Sequence, residues 1–311
     1  MLIFVAIVFA VAATLWRVER NAKRAAGLFP AQGNFVEVAG HPVHYVEMGA
    51  GPALVLIHGS SGNTRDFTLG LAEKLAQSYR VIIFDRPGLG YTPELAPFDV
   101  SVTDQAELLA SAAQAIGADK PIVAGQSLGG AIMLAWAVSR PDNIAAAVSI
   151  SGVAYPWKGN LDALTSSLAH PFIGPILSRL VAAWISTEYV GKSLNETFKP
   201  QKLLTGYAEH IGIPLILRPS SIMANARQRK TLKGDLRMIA DQYASLTVPI
   251  EIVHGDSDTI VPLHVHSKRL AEDVKNANLV TLEGIGHMPQ HISHDAVIAA
   301  IHRAASRAGL R

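Results

Sequence analysis

The chain has no cysteine among its 311 residues, so it has no disulfide, no thiolate nucleophile and no cysteine-ligated zinc. Such a chain suits a reducing cytosol and an oxidising periplasm equally. Excess charge is also missing: 27 Lys and Arg against 25 Asp and Glu leave +2, and no aromatic-basic stripe accompanies it, which sets nucleic acid aside as a partner. Repeats and low-complexity tracts are absent. Charged residues make up only 17% against 49% hydrophobic, which argues against disorder outside the ends. What is present suffices for one large α/β domain with an inserted subdomain.

Leu2 to Trp16 carries no charge and only Thr14 as a polar interruption, and Arg17, Arg20, Lys23 and Arg24 follow at once. Residues 1–17 are expected to form a membrane segment and 18–33 a linker. At 1.5 Å per residue the run reaches roughly 24 Å, slightly short of a hydrocarbon core of about 30 Å. The rival is a cleaved secretory signal with a small-residue site at Ala10-Val11-Ala12, but no Lys or Arg precedes the apolar run. With the segment retained, the basic flank puts the remaining chain on the cytoplasmic side; with cleavage it is secreted or periplasmic.

Residues 34–153 have the grammar of a sheet. Phe35–Val38 and Val43–Met48 flank a turn and predict a hairpin. Unbroken apolar runs follow at Ala53–Ile57, Val81–Phe84, Ile122–Ala124 and Ala145–Ile150, separated by helix-length segments. Strands buried on both faces predict a mostly parallel sheet with helical crossovers, including Thr64–Gln77 and Gln105–Ile116, the latter opened by Asp104 and Glu107 in capping-box style. Between 154 and 246 the alternation stops, and helix-like pieces such as Pro171–Ser186 and Leu232–Ala244 predict a helical cap. Strands resume at Val248–His254 and Leu279–Leu282, with helices at Leu263–Val274 and Ala296–Ala305, so residues 247–311 complete the sheet.

Gly125-Gln126-Ser127-Leu128-Gly129 falls between a predicted strand and a predicted helix. A sharp turn there would strain Ser127 and lift its hydroxyl above the sheet, while small residues at 125 and 129 let strand and helix approach. Serine needs a base, and His287, in the loop Gly284–Pro289 after the last strand, is placed to supply it. His264, His266, His291, His294 and His302 fall in helical patterns. A carboxylate must orient the imidazole, and the loop Gly255–Pro262 offers Asp258 and Asp256. Asp258 is assigned the role and Asp256 a loop or capping one. His58-Gly59-Ser60-Ser61-Gly62 closes the first parallel strand, where the amides of Ser60 and Leu128 are candidates for an oxyanion hole. Asp85 is expected to tie neighbouring loops together.

These segments, with Asp85-Arg86-Pro87-Gly88-Leu89-Gly90 and Gly286-His287-Met288-Pro289, resemble the α/β-hydrolase superfamily, in particular its small esterase-like members with a helical cap. The likeness runs from about Phe35 to Leu310. It implies an eight-stranded, mostly parallel sheet with helices on both faces, a Ser127, Asp258 and His287 triad, and no cofactor. Members that carry aspartate in place of Ser127, the epoxide hydrolases and haloalkane dehalogenases, are disfavoured. The expected reaction is hydrolysis of a carboxylic ester of a small or hydrophobic molecule through an acyl-enzyme. Acyl transfer or carbon–carbon bond hydrolysis by the same triad, and a non-catalytic binding protein, are the alternatives. Pro171–Leu177, Leu180 and Trp184 offer an apolar wall for substrate or plain core, and Arg227, Arg229, Lys230 and Lys233 a solvated cap face or a contact for anionic lipid.

Overall fold

The computed structural model describes residues 1–95 and 100–311. Its first element, α1 (Leu2–Leu28), is one helix of 27 residues, long and apolar enough to cross a membrane. The expected break after residue 17 does not occur. Residues 18–28 contain neither Gly nor Pro before Gly27, so nothing stops the helix, and Ala25 is buried against the rest of the protein.

The hairpin is β1 (Asn34–Val38) and β2 (His41–Met48), and β3 (Ala53–Ile57) starts the parallel part. After it come α2 (Leu71–Leu75), β4 (Arg80–Phe84), α3 (Val102–Ala115), β5 (Ile122–Gln126), α4 (Leu128–Ser139) and β6 (Ala146–Ile150). The sheet resumes after a helical insert with β7 (Ile250–Gly255), α11 (Ser267–Asp273) and β8 (Ala277–Leu282). Strand order is β1-β2-β4-β3-β5-β6-β7-β8, with β2 antiparallel to both neighbours and the remaining pairs parallel. Alternation along β3 divides the core. Val55 and Ile57 join the cluster that includes α3 and α4, whereas Leu54 and Leu56 join the one that includes α2 and α13 (His294–Arg307), which follows the short α12 (Pro289–Ile292).

Between β6 and β7 lies the helical insert: α5 (Ala163–Leu168), α6 (Gly174–Trp184), α7 (Thr187–Phe198), α8 (Tyr207–His210), α9 (Ile213–Ile216) and α10 (Pro219–Ala240). Two expectations here are corrected. On α6, Ile176, Leu180 and Trp184 point outward, as do Phe172 and Ile173 just before it, so they do not wall a substrate cavity. The basic residues of α10 form no common solvated face: Arg227 is buried with Nη1 2.7 Å from Glu94 Oε1, Arg229 donates to Thr165 Oγ1, and Lys233 donates to Gly159 O. Only Lys230 of the four is exposed.

Candidate active site

The turn at Ser127 is fixed from three sides. Its φ of 53° and ψ of −119° lie outside ordinary L-residue backbone, and three hydrogen bonds hold them there: Ser127 N donates to Ile150 O, while Ser127 O accepts from Gly130 N and Val153 N. A Cβ at Gly125 would collide with the Gly129 carbonyl, and one at Gly129 with the Ile57 carbonyl. The glycines therefore set how closely α4 approaches β5 and β3.

Asp258 follows β7 and is buried. Its Oδ1 accepts from the amides of Ile260 and Val261 at 2.8 and 2.9 Å, and its Oδ2 lies 2.7 Å from His287 Nδ1 and 3.1 Å from His254 Nε2. Burial alone would push the carboxyl pKa up; the hydrogen bonds from His254 and His287 outweigh it and hold the group well below the usual carboxylate range. An ionised Asp258 makes His287 Nδ1 the donor and leaves the lone pair on Nε2. That nitrogen lies 3.4 Å from Gln126 Nε2, whose amide also donates to His287 O at 3.3 Å. Ser127 and His287 line one cavity of about 510 Å³. Among the described residues Ser127 Oγ has no hydrogen-bond partner, and contacts of this kind commonly tighten only with substrate in place.

Asp256 is exposed and stays in its loop, accepting from Gly284 N and Ser257 Oγ. Two of the helical histidines are engaged elsewhere: His291 Nε2 lies 2.9 Å from Asp66 Oδ1, and His302 Nδ1 lies 2.7 Å from Tyr79 Oη. Asp85 binds Thr64 N, Tyr91 N and His44 Nδ1, which joins three segments as a loop tie.

The loop after β3 is held from beneath. Buried Arg86 donates from Nη2 to Gly59 O and from Nη1 to Gln105 and Gln228, and its own amide donates to His58 Nε2. Burial lowers the Arg86 pKa to about 9. The Ser61 amide is taken by Asn225 Oδ1 of the cap at 2.8 Å, whereas the amides of Ser60 and Leu128 make no hydrogen bond within the protein among the described residues. Both residues line a second cavity of about 830 Å³, with Trp157 and His264, which meets the first at Ser127.

Sequence reasoning missed Gln126, His254 and Asn225. His254 had a local signal, four residues before Asp258 at a strand end. Asn225 had none, since its partner lies 164 residues away.

The parallel sheet, the turn after β5 and the loops after β7 and β8 are those of a known class. Residues 52–293 match the family model for the α/β-hydrolase fold, and the chain belongs to that family. It is similar to the pimeloyl-[acyl-carrier protein] methyl ester esterase of Neisseria meningitidis, 29% identical over 272 residues, covering 82% of this chain and 93% of the relative. A thermophilic esterase from Thermogutta terrifontis superposes with TM-score 0.66 at 17% identity over 88% of this chain and 97% of its own. The structure of a bacterial membrane phospholipase A does so with TM-score 0.63 at 24% identity, over 100% of this chain and 98% of its own.

Proposed function

We propose that the protein is a membrane-anchored serine hydrolase that cleaves carboxylic esters with an apolar part. Ser127 is the nucleophile, His287 the base, Asp258 its orienting acid, and the Ser60 and Leu128 amides the oxyanion hole. One observation carries the reading: His287 Nδ1 lies 2.7 Å from Asp258 Oδ2, and His287 lines the same cavity as Ser127. Ser127 Oγ adds to the ester carbonyl as Nε2 takes its proton, and the developing oxyanion meets two amides left free for it. His287 then gives the proton to the departing alkoxide. Water, deprotonated by the same nitrogen, releases the acid and restores Ser127. Two cavities that both reach Ser127 offer room for the acyl and alcohol portions, and Leu168, Leu194, Ile216 and Ile222 line one of them with apolar side chains.

Membrane anchoring is supported by the apolar half of α1, and the basic residues after it favour a cytoplasmic catalytic domain. The likeness to the membrane phospholipase A, whose superposition covers the whole of this chain and so α1 as well, fits the same reading. Ser127→Ala is expected to abolish hydrolysis of short p-nitrophenyl esters and labelling by a fluorophosphonate, with an unchanged melting temperature. Retained turnover would remove Ser127 from its role. Protease protection of the domain in intact cells checks the orientation.

A further inference from the structure

Helix α6 is apolar but for Ser178 and Arg179, a composition that in a water-soluble domain is expected of a helix buried on nearly all sides. Its inner side is buried: Leu177 packs on Leu168 and Ala226 of α5 and α10, and Ser178 and Ala182 are covered. Its outer side is bare. Phe172 is 80%, Ile176 66% and Trp184 53% exposed. Such a stripe calls for a partner.

The packing of α1 identifies it. The C-terminal end of α6 is fixed to α1, because Arg17 Nε and Asn21 Nδ2 donate to the last carbonyls, Ala183 O and Ala182 O, and Trp184 Nε1 donates to Thr14 Oγ1. Toward its N-terminus α6 stays beside α1, and Pro175, Ile176 and Leu180 face Ile7, Val11 and Leu15 across a crevice of about 440 Å³. The two helices therefore run in the same sense. Two cation–aromatic pairs, Arg17 over Trp184 and Arg20 over Trp16, lie at one level, as tryptophan and arginine do at a membrane surface. From that level to the start of α6 is about 15 Å along the helix, close to half of a hydrocarbon core.

We infer that α6 and the Phe172–Ile173 turn before it are immersed in one leaflet beside α1, with lipid acyl chains filling the crevice. The occupant is the bilayer because the facing wall of the crevice is the anchor itself. Arg179, the one charged residue on α6, lines the crevice by its stem and has its guanidinium tied back to the helix, Nη1 donating to Pro175 O at 2.6 Å. This inference rests on the anchor reading of α1 and adds that the cap is a membrane element too, so that an inner wall of the catalytic cavity is one helix away from lipid.

Because the chain is free of cysteine, one introduced thiol carries one label. Full-length Phe9→Cys, Phe172→Cys, Ile176→Cys and Asp241→Cys variants, each shown to retain soluble-ester hydrolysis, are spin-labelled and placed in phosphatidylcholine–phosphatidylglycerol vesicles. Collision rates with oxygen and with a nickel chelate then give depth. Labels at 9, 172 and 176 are expected to favour oxygen, and the label at 241 nickel. Nickel-accessible labels at 172 and 176 with a lipid-facing label at 9 overturn the immersion of α6 alone. A nickel-accessible label at 9 overturns the anchor and the inference together.

Discussion

Asp258 accepts from two amides and two imidazoles, which leaves no room for any residue that donates from the same place. Asp258→Asn would set an amide where His287 needs an acceptor and favour the wrong tautomer; the equivalent change in serine proteases costs about 10⁴ in kcat. A loss of that order in single-turnover acylation, with near-native stability, is expected here. His254→Gln should do much less. It removes one charge-assisted hydrogen bond that the two amides and His287 partly replace, so roughly tenfold in kcat is the expected ceiling, and its main sign should be a rise in the acid limb of the rate profile. An unchanged profile would make His254 merely structural. Ser127, Asp258 and His287 were legible because each occupies a loop directly after a strand, where sequence order and position suffice. Gln126 and Asn225 were not, because their contacts, with His287 and with the Ser61 amide, join segments more than 160 residues apart in the chain.

At the level of elements, the parallel strands announce themselves by apolar runs, and all six were found within a residue or two. Helix ends were less legible. The helix expected to open at Asp104 with Glu107 is instead α3, capped by Ser101, whose Oγ accepts from Asp104 N while Asp104 accepts from Ser101 N. Two overlapping capping signals three residues apart compete there, and Val102, which is buried, decides for the earlier one. Ser101→Ala is expected to cost about 1 kcal/mol, seen as a fall of a few degrees in melting temperature. Gly129→Ala tests a different contact, since its Cβ would drive α4 off the Ile57 carbonyl. A cost of about 1–3 kcal/mol is expected, together with a fall in esterase turnover as the Ser127 turn relaxes. Stability lost without turnover would show that the glycine serves packing alone. The cap helices were legible as helices but not in orientation: an apolar stripe such as that of α6 has the same sequence whether it faces a core, a substrate or a bilayer.

For the whole molecule, two imidazoles make folding sensitive to acid. His58 and His266 are used as acceptors, His58 Nε2 from Arg86 N at 3.1 Å and His266 Nδ1 from the Ala154 and Tyr155 amides at 3.2 Å. Protonation would remove the lone pairs those amides need. Burial, aided by the charge of Arg86 for His58 and of His254 for His266, lowers both pKa values to about 4. Above about pH 6.5, the ordinary histidine value, both are neutral in either state and contribute no slope. As pH falls from there toward 4 the unfolded chain gains two protons that the folded chain refuses, so stability declines by about 1.4 kcal/mol per pH unit for each histidine, and the slope ends below pH 4. Asp66 and Asp258, held below the usual carboxylate range by hydrogen bonds that outweigh their burial, keep their contribution until about pH 4 and lose it only below that. The two windows therefore do not overlap. Urea unfolding of the detergent-solubilised full chain at pH 7, 5.5 and 4.5 should show the midpoint falling steadily, and His266→Gln should make the slope shallower without abolishing it, since burial also lowers the pKa values of His210, His294 and His302. A midpoint that holds to pH 4.5 would mean that these imidazoles are not locked as acceptors, and with them would go the account of how His58 and Arg86 brace the loop that carries Ser60.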